Sequence, residues 1–201
     1  MKKTILKPMF FIMTILLLCN CCSKDDSEVG FDNQTFVLSP DSIVIFEKEA
    51  KSGNPDAARK LALYYLYVKL DQKKAFFWNE KAAENGHTIA QFEVGRDYAT
   101  GDNPLKIKDF RKAKYWLKNS AQKGDTQAKE YLSLMLSKDE LDGLIFMANQ
   151  GDANAAYKLY KYYFFIEQKN ESKELYWLRK AAQHGNKEAQ DRLPYFENNK
   201  K

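Results

Sequence analysis

The chain has 201 residues, 44% of them hydrophobic, with 32 lysines and arginines against 27 aspartates and glutamates. Lys2, Lys3 and Lys7 all precede the first acidic residue, Asp25, so the rest of the chain carries 29 basic against 27 acidic groups. That near-neutral balance removes the main argument for nucleic-acid binding. The three cysteines are confined to positions 19, 21 and 22, which leaves no disulfide framework for a folded domain.

The three early lysines stand before an uncharged apolar run from Met9 to Cys19, the layout of a secretory signal. Eleven residues are too few to cross a bilayer as a helix, which takes roughly 20. Cys21 or Cys22 closes the run and Ser23-Lys-Asp-Asp26 follows. This resembles a bacterial lipoprotein signal, and either cysteine suits the role of lipidated first residue. The charges after it resemble a surface-export signal of some Bacteroidetes lipoproteins, or are simply a solvated linker. The expectation is a signal peptide over 1–21 and a tether over 22–38.

Next comes a recurring phrase, alanine–two residues–glycine–three residues–alanine. It reads Ala50…Gly53…Ala57, Ala83…Gly86…Ala90, Ala121…Gly124…Ala128, Ala148…Gly151…Ala155 and Ala182…Gly185…Ala189. The glycines are 33, 38, 27 and 34 residues apart, a period that marks a stack of similar units. Counting from each glycine, positions 4, 8 and 12 hold Ala57, Leu61 and Tyr65, then Ala90, Val94 and Tyr98, and so on, one stripe of a helix. Eight residues before three of the glycines stand Trp78, Trp116 and Trp177. Each unit is therefore two helices, A then B, with an aromatic wedge in B. A glycine ends helix B in the left-handed conformation, and Asn54, Asp125, Asp152 and Asn186 can cap the next helix A, with His87 a poorer cap at the fifth place.

Ser39-Pro40 predicts a lone B-type helix running to about Ser52. The unit ending at Gly151 is shortened and has Gly143 in place of the tryptophan, which predicts a looser joint. Lys187–Leu193 reads as a short closing helix stopped by Pro194. The solenoid is then 39–193, with a polar tail over 194–201.

Val94-Gly95-Arg-Asp-Tyr98, and the Lys-Ala-x-x-Trp runs Lys74–Ala90 and Lys112–Ala128, resemble the Sel-one-like repeat, a relative of the tetratricopeptide repeat. The resemblance implies an all-α, right-handed α-solenoid of stacked antiparallel hairpins. The chain departs from the pattern at Ala62, Ser133 and Tyr160, which replace the helix A glycine, and it lacks the paired cysteines of the cysteine-rich members.

No catalytic constellation emerges: His87 and His184 lie in separate turns without metal spacing, and there is no phosphate loop or nucleophile elbow. Glu93 and Asp97 share a helical face and read either as an acid pair or as a solvated face beside Arg96. The expectation is neither an enzyme nor a cofactor or metal protein. In tetratricopeptide relatives helix A lines the concave side, where partners bind. Transferred here, positions 6 and 10 place Arg59, Leu63, Phe92, Arg96, Glu130, Leu134, Tyr157 and Lys161 on a groove, with Leu66 and Phe164 a turn further. The alternative is that the apolar members are partly core. The aromatic stretch Tyr157–Phe165 cannot all face one core, so part of it is expected to meet a partner.

These readings converge on a protein-binding scaffold or adaptor of the bacterial cell envelope, held by a lipid anchor, at the outer membrane facing the periplasm or exposed on the surface. An immunity lipoprotein neutralising a secreted, type VI-like toxin in the periplasm is the second reading.

Overall fold

The computed structural model describes residues 36–167 and 170–198, and the described part lies within one unit, 33–201. The signal, the cysteines and most of the tether therefore fall outside the described residues. Among the described residues the regular structure is entirely helical. We label the helices α1 (Pro40–Lys51), α2 (Pro55–Tyr67), α3 (Gln72–Glu84), α4 (Thr88–Thr100) and α5 (Phe110–Gln122). They continue as α6 (Thr126–Leu134), α7 (Lys138–Asn149), α8 (Ala153–Phe165), α9 (Glu171–Gln183) and α10 (Lys187–Asn198). A helices (α2, α4, α6, α8, α10) alternate with B helices (α1, α3, α5, α7, α9).

The hinge phrase explains the alternation. All five hinge glycines are left-handed, with φ between 92 and 99°. Around each, the same two hydrogen bonds close the preceding helix. At the first hinge Gly53 N–H donates to Ala50 O (3.1 Å) and Asn54 N–H to Glu49 O (3.0 Å). The equivalent pair recurs at the other four hinges, the five-to-two and six-to-one bonds of a Schellman end. The residue after the glycine then caps the next helix with its side chain. Asn54, Asp125 and Asp152 each accept two backbone N–H groups, Asn186 accepts from Ala189, and His87 caps through Nδ1 (3.2 Å from Ala90 N).

Helices pack through the alanines of the phrase, nearly all of them buried. Gly95 brings α4 closest to its partner: a Cβ there would stand 2.8 Å from Leu117 Cγ. Successive hinges also stack, with Asn85 Nδ2 donating to Ala50 O at 2.9 Å and the His184 ring lying over Gly151. Trp78 and Trp177 are buried wedges, whereas Trp116 is only partly covered. In three hairpins, α2–α3, α4–α5 and α8–α9, the two helices pack along their length. α6 and α7 do not: α6 ends after nine residues and touches α4 and α8 instead.

Two expectations need correction here. The closing helix does not stop at Pro194 but runs to Asn198. Proline gives up the bond to Gln190 O, yet Phe196 two residues on packs edge-to-face against Tyr160 (5.9 Å) and Phe164 (6.2 Å), which holds the continuation in place. The aromatic run of α8 is also divided, with half of it absorbed internally. Tyr160, Tyr162 and Tyr163 are buried, because α8 packs against α6, α7 and α9 and meets Phe196 of α10. Only Tyr157, Phe164 and Phe165 keep part of their surface.

Candidate interaction face

The residues at positions 6 and 10 do fall on one face shared by the A helices, but they are not equally available. Phe92 and Leu134 are core, 6% and 0% exposed. Phe92 lies edge-to-face on Tyr131 of α6 (5.5 Å), and Leu134 sits where the shortened α6 ends, next to buried Met135. Both leave the partner-contact set. Leu63, Tyr157 and Phe164 are partly exposed and Leu66 more so.

The charged members are mutually engaged. Arg59 of α2 reaches across to α4, where both terminal nitrogens meet the Glu93 carboxylate (Nη2–Oε1 2.8 Å). Asn79 of α3 completes the triangle, accepting from Arg59 (2.6 Å) and donating to Glu93 (3.0 Å). Arg96 donates to its neighbour Asp97 from Nε (3.1 Å) and Nη2 (2.9 Å). Glu93 and Asp97 are thus not an acid pair; each is bound to its own arginine. Lys161 of α8 donates to Glu130 of α6 at 3.0 Å and stands 5.6 Å above the Tyr157 ring. Charge therefore crosses the A–A junctions α2–α4 and α6–α8, and aromatic packing crosses α4–α6.

Burial sets the electrostatics of this face. It pushes the Asp97 carboxyl up to about 6, while Arg96 pulls the other way. It also raises the Tyr131 phenol, whose hydroxyl has no hydrogen-bond partner among the described residues. The Tyr67 phenol is raised by burial and then by the Glu93 charge, and its ring carries Phe36 stacked at 5.0 Å. At the far end, burial lowers the pKa of Arg192 on α10 but the nearby Tyr160 and Tyr157 phenols raise it more, and the Tyr160 hydroxyl has no hydrogen-bond partner among the described residues.

Asn79, Tyr67, Tyr131 and Arg192 were not on the list drawn from the sequence. Asn79 lies on a B helix, off the helix A stripe. Tyr67, at position 14, and Tyr131 and Arg192, both at position 7, lie on the A helices α2, α6 and α10 themselves and needed only a wider stripe. Among the described residues, no group of three or more His, Cys, Asp or Glu side chains is placed to hold a metal ion, and no helix is long and apolar enough to cross a membrane.

The family match follows the repeat register. The Sel1 repeat model matches residues 55–87, 88–125 and 166–186. Over these three stretches the chain is similar to the Sel1 repeat. The first two matches coincide with the hairpins α2–α3 and α4–α5 with their hinges, and the third holds α9; the stretch left out contains α6, α7 and α8. A sel1-like repeat-containing protein of Acanthamoeba polyphaga mimivirus is 29% identical over 119 residues, 56% of this chain. The chain spans only 23% of that protein's length. An uncharacterised Escherichia coli protein, YibG, is 24% identical over 121 residues, covering 59% of this chain and 78% of its own. A Sel1 repeat protein from Oxalobacter formigenes, known as a crystal structure, is 22% identical with a TM-score of 0.25, over 76% of this chain and 58% of that one.

Proposed function

We propose that this Sel1 repeat chain is a scaffold that binds another protein through the face shared by α2, α4, α6 and α8. Sel1 repeats generally mediate protein–protein interaction, which supports the class of activity. The observation that carries the reading for this face is the locking of neighbouring A helices by Arg59–Glu93 and Glu130–Lys161. Ion pairs held between helices orient the exposed apolar groups, Leu63 and Leu66 at one end and Tyr157 at the other, before a partner arrives. A surface ordered in advance loses less entropy on binding.

The reading places the scaffold in the bacterial cell envelope, tethered by a lipid on Cys21 or Cys22. Its support is the apolar run after Lys2, Lys3 and Lys7 and the position of the cysteines at its end. Metabolic labelling with a lipid probe should mark the full chain, and Cys21→Ser or Cys22→Ser should abolish the label. For the interaction face, the tagged full chain is captured after cross-linking in cells. Tyr157→Ala with Leu63→Ala should reduce recovery of its partner at least tenfold. Recovery unchanged by the pair of substitutions would remove the face from the proposal.

A further inference from the structure

Among the described residues, the first and last helices of the stack are covered differently. An internal B helix is covered by its own A helix and by the A helix that follows. α1 is a B helix that has its follower, α2, but no A helix before it among the described residues. Eight residues before the hinge glycine, Trp78 and Trp177 are each 6% exposed; Ile45, at the same register in α1, is 54% exposed. Since α2 covers α1 much as α4 covers α3, the exposure of Ile45 reflects that no described helix lies on its other side. Val44 beside it is more exposed still.

The last described helix differs. In α2 and α4, positions 5 and 9 are buried, holding Ala58 and Ala62, and Gln91 and Gly95, and Gly95 lies against Leu117 of the hairpin partner. The same positions of α10 hold Gln190 and Pro194, both exposed, with the ion-paired Glu197 one turn on. Gln190 and Glu197 make this face partly polar, and a polar outer face is how a terminal repeat ends a stack. Copies joined head to tail would set the apolar stripe of α1 against that polar face, which disfavours an open chain of molecules.

The outer stripe of α1 reads Asp41, then Val44 and Ile45, then Lys48, all exposed. Acid stands at one end, base at the other, and the midpoint falls between the two apolar residues. Such a stripe is complementary to itself when turned antiparallel. We propose that this face of α1 pairs with the same face of a second copy about a two-fold axis. Val44 and Ile45 meet their equivalents at the centre, and Asp41 lies opposite Lys48 on both sides. An isologous contact of this kind closes at two molecules, and opposite charges set its register. One helix face is far smaller than the roughly 1,600 Å² of a standard interface, so the pairing depends on concentration.

A photo-reactive benzoylphenylalanine at position 45 of the full chain tests the pairing. Illumination should give a product of twice the chain mass, joined within residues 41–48 of the second copy, with a yield that rises with concentration. Asp41→Lys sets lysine against lysine and should cut that yield at least fivefold; Asp41→Lys with Lys48→Asp restores opposite charges and should return it to within twofold. Cross-links confined to residues 1–35 of the same chain, cross-links only to a different protein, no product, or failure of the double swap to restore the yield would each overturn the proposal.

Discussion

The hairpins α8–α9 and α6–α7 are built on the same hinge phrase and end differently. In α8–α9 the helices run side by side, and Trp177 is buried where B crosses A. In α6–α7 the A helix is nine residues long, the tryptophan position is Gly143, and α7 buries fully only Ala148. Phe146 and Met147 of α7 are left exposed. The hinge is intact in both, with Gly151 as left-handed as Gly185. A hinge can therefore direct the chain from one helix to the next without making the helices pack. Packing needs the wedge and a helix A long enough to receive it.

The sharpest way to break that comparison is to remove an aromatic residue from each region. Trp177→Ala should destabilise the protein by about 3–5 kcal/mol, the usual cost of emptying a large buried aromatic site. Phe146→Ala, at a residue 66% exposed, should stay within about 0.5 kcal/mol. Urea unfolding followed by far-ultraviolet circular dichroism measures both. Equal losses would mean that α7 is packed as firmly as α9.

The next largest contrast uses one substitution at two glycines. Gly95→Ala forces a methyl group against the Leu117 side chain at 2.8 Å and its backbone nitrogen at 3.0 Å, and should cost about 1–3 kcal/mol. Gly143→Ala places the methyl in open space inside a helix, and should stabilise by about 0.5–1 kcal/mol. Opposite signs from the same chemical change would confirm that the two hairpins differ in closeness of approach. A destabilised Gly143→Ala would refute it.

The features legible in the sequence are the local ones. Schellman bonds and side-chain caps depend on residues within six positions, so the five hinges and their caps could be read directly, as could the weak joint at Gly143. The face of the A helices was legible as a direction but not as a surface. Whether Phe92 is exposed depends on Tyr131, which lies 39 positions later and covers its ring. Leu134 is buried because α6 stops there, and a fixed repeat period carries no information about an early stop. Pro194 was misread for the same reason: the contact that keeps α10 helical beyond it comes from α8.

Junctions between A helices give a smaller effect. Arg59 and Glu93 keep 17% and 26% of their side-chain surface, between a buried and a surface pair. Arg59→Ala should cost about 1–2 kcal/mol, less than the 3–5 expected for a fully buried pair. Lys161→Ala, whose partner Glu130 is 41% exposed, should cost under about 1 kcal/mol. Arg59→Lys should recover only part of the loss, because an ammonium cannot hold the carboxylate from two nitrogens. Full recovery would reduce the junction to a simple charge contact.

The smallest expected effect lies in the one hinge capped by a histidine. Burial first, and then the nearby Arg59 charge, lower the His87 pKa, while Asp56 opposes them. The neutral ring is also the form whose Nδ1 can accept from Ala90 N–H. Below the unfolded value near 6.5, the unfolded chain takes up a proton that the folded one declines. Stability from this group is therefore full above about 6.5 and falls as pH drops toward the folded pKa. Asp97, on the same helix, has the reverse sign. Its carboxyl is raised from 3.8 to about 6, so between those values the folded state binds the extra proton and gains stability as pH falls. His87→Asn keeps a capping side chain but removes the first titration, a change of a few tenths to about 1 kcal/mol. Between pH 6.5 and 5 the variant should lose less stability than the parent, or gain some as Asp97 protonates alone. An unchanged slope would mean that the imidazole caps α4 equally well with both nitrogens protonated, which its acceptor geometry forbids.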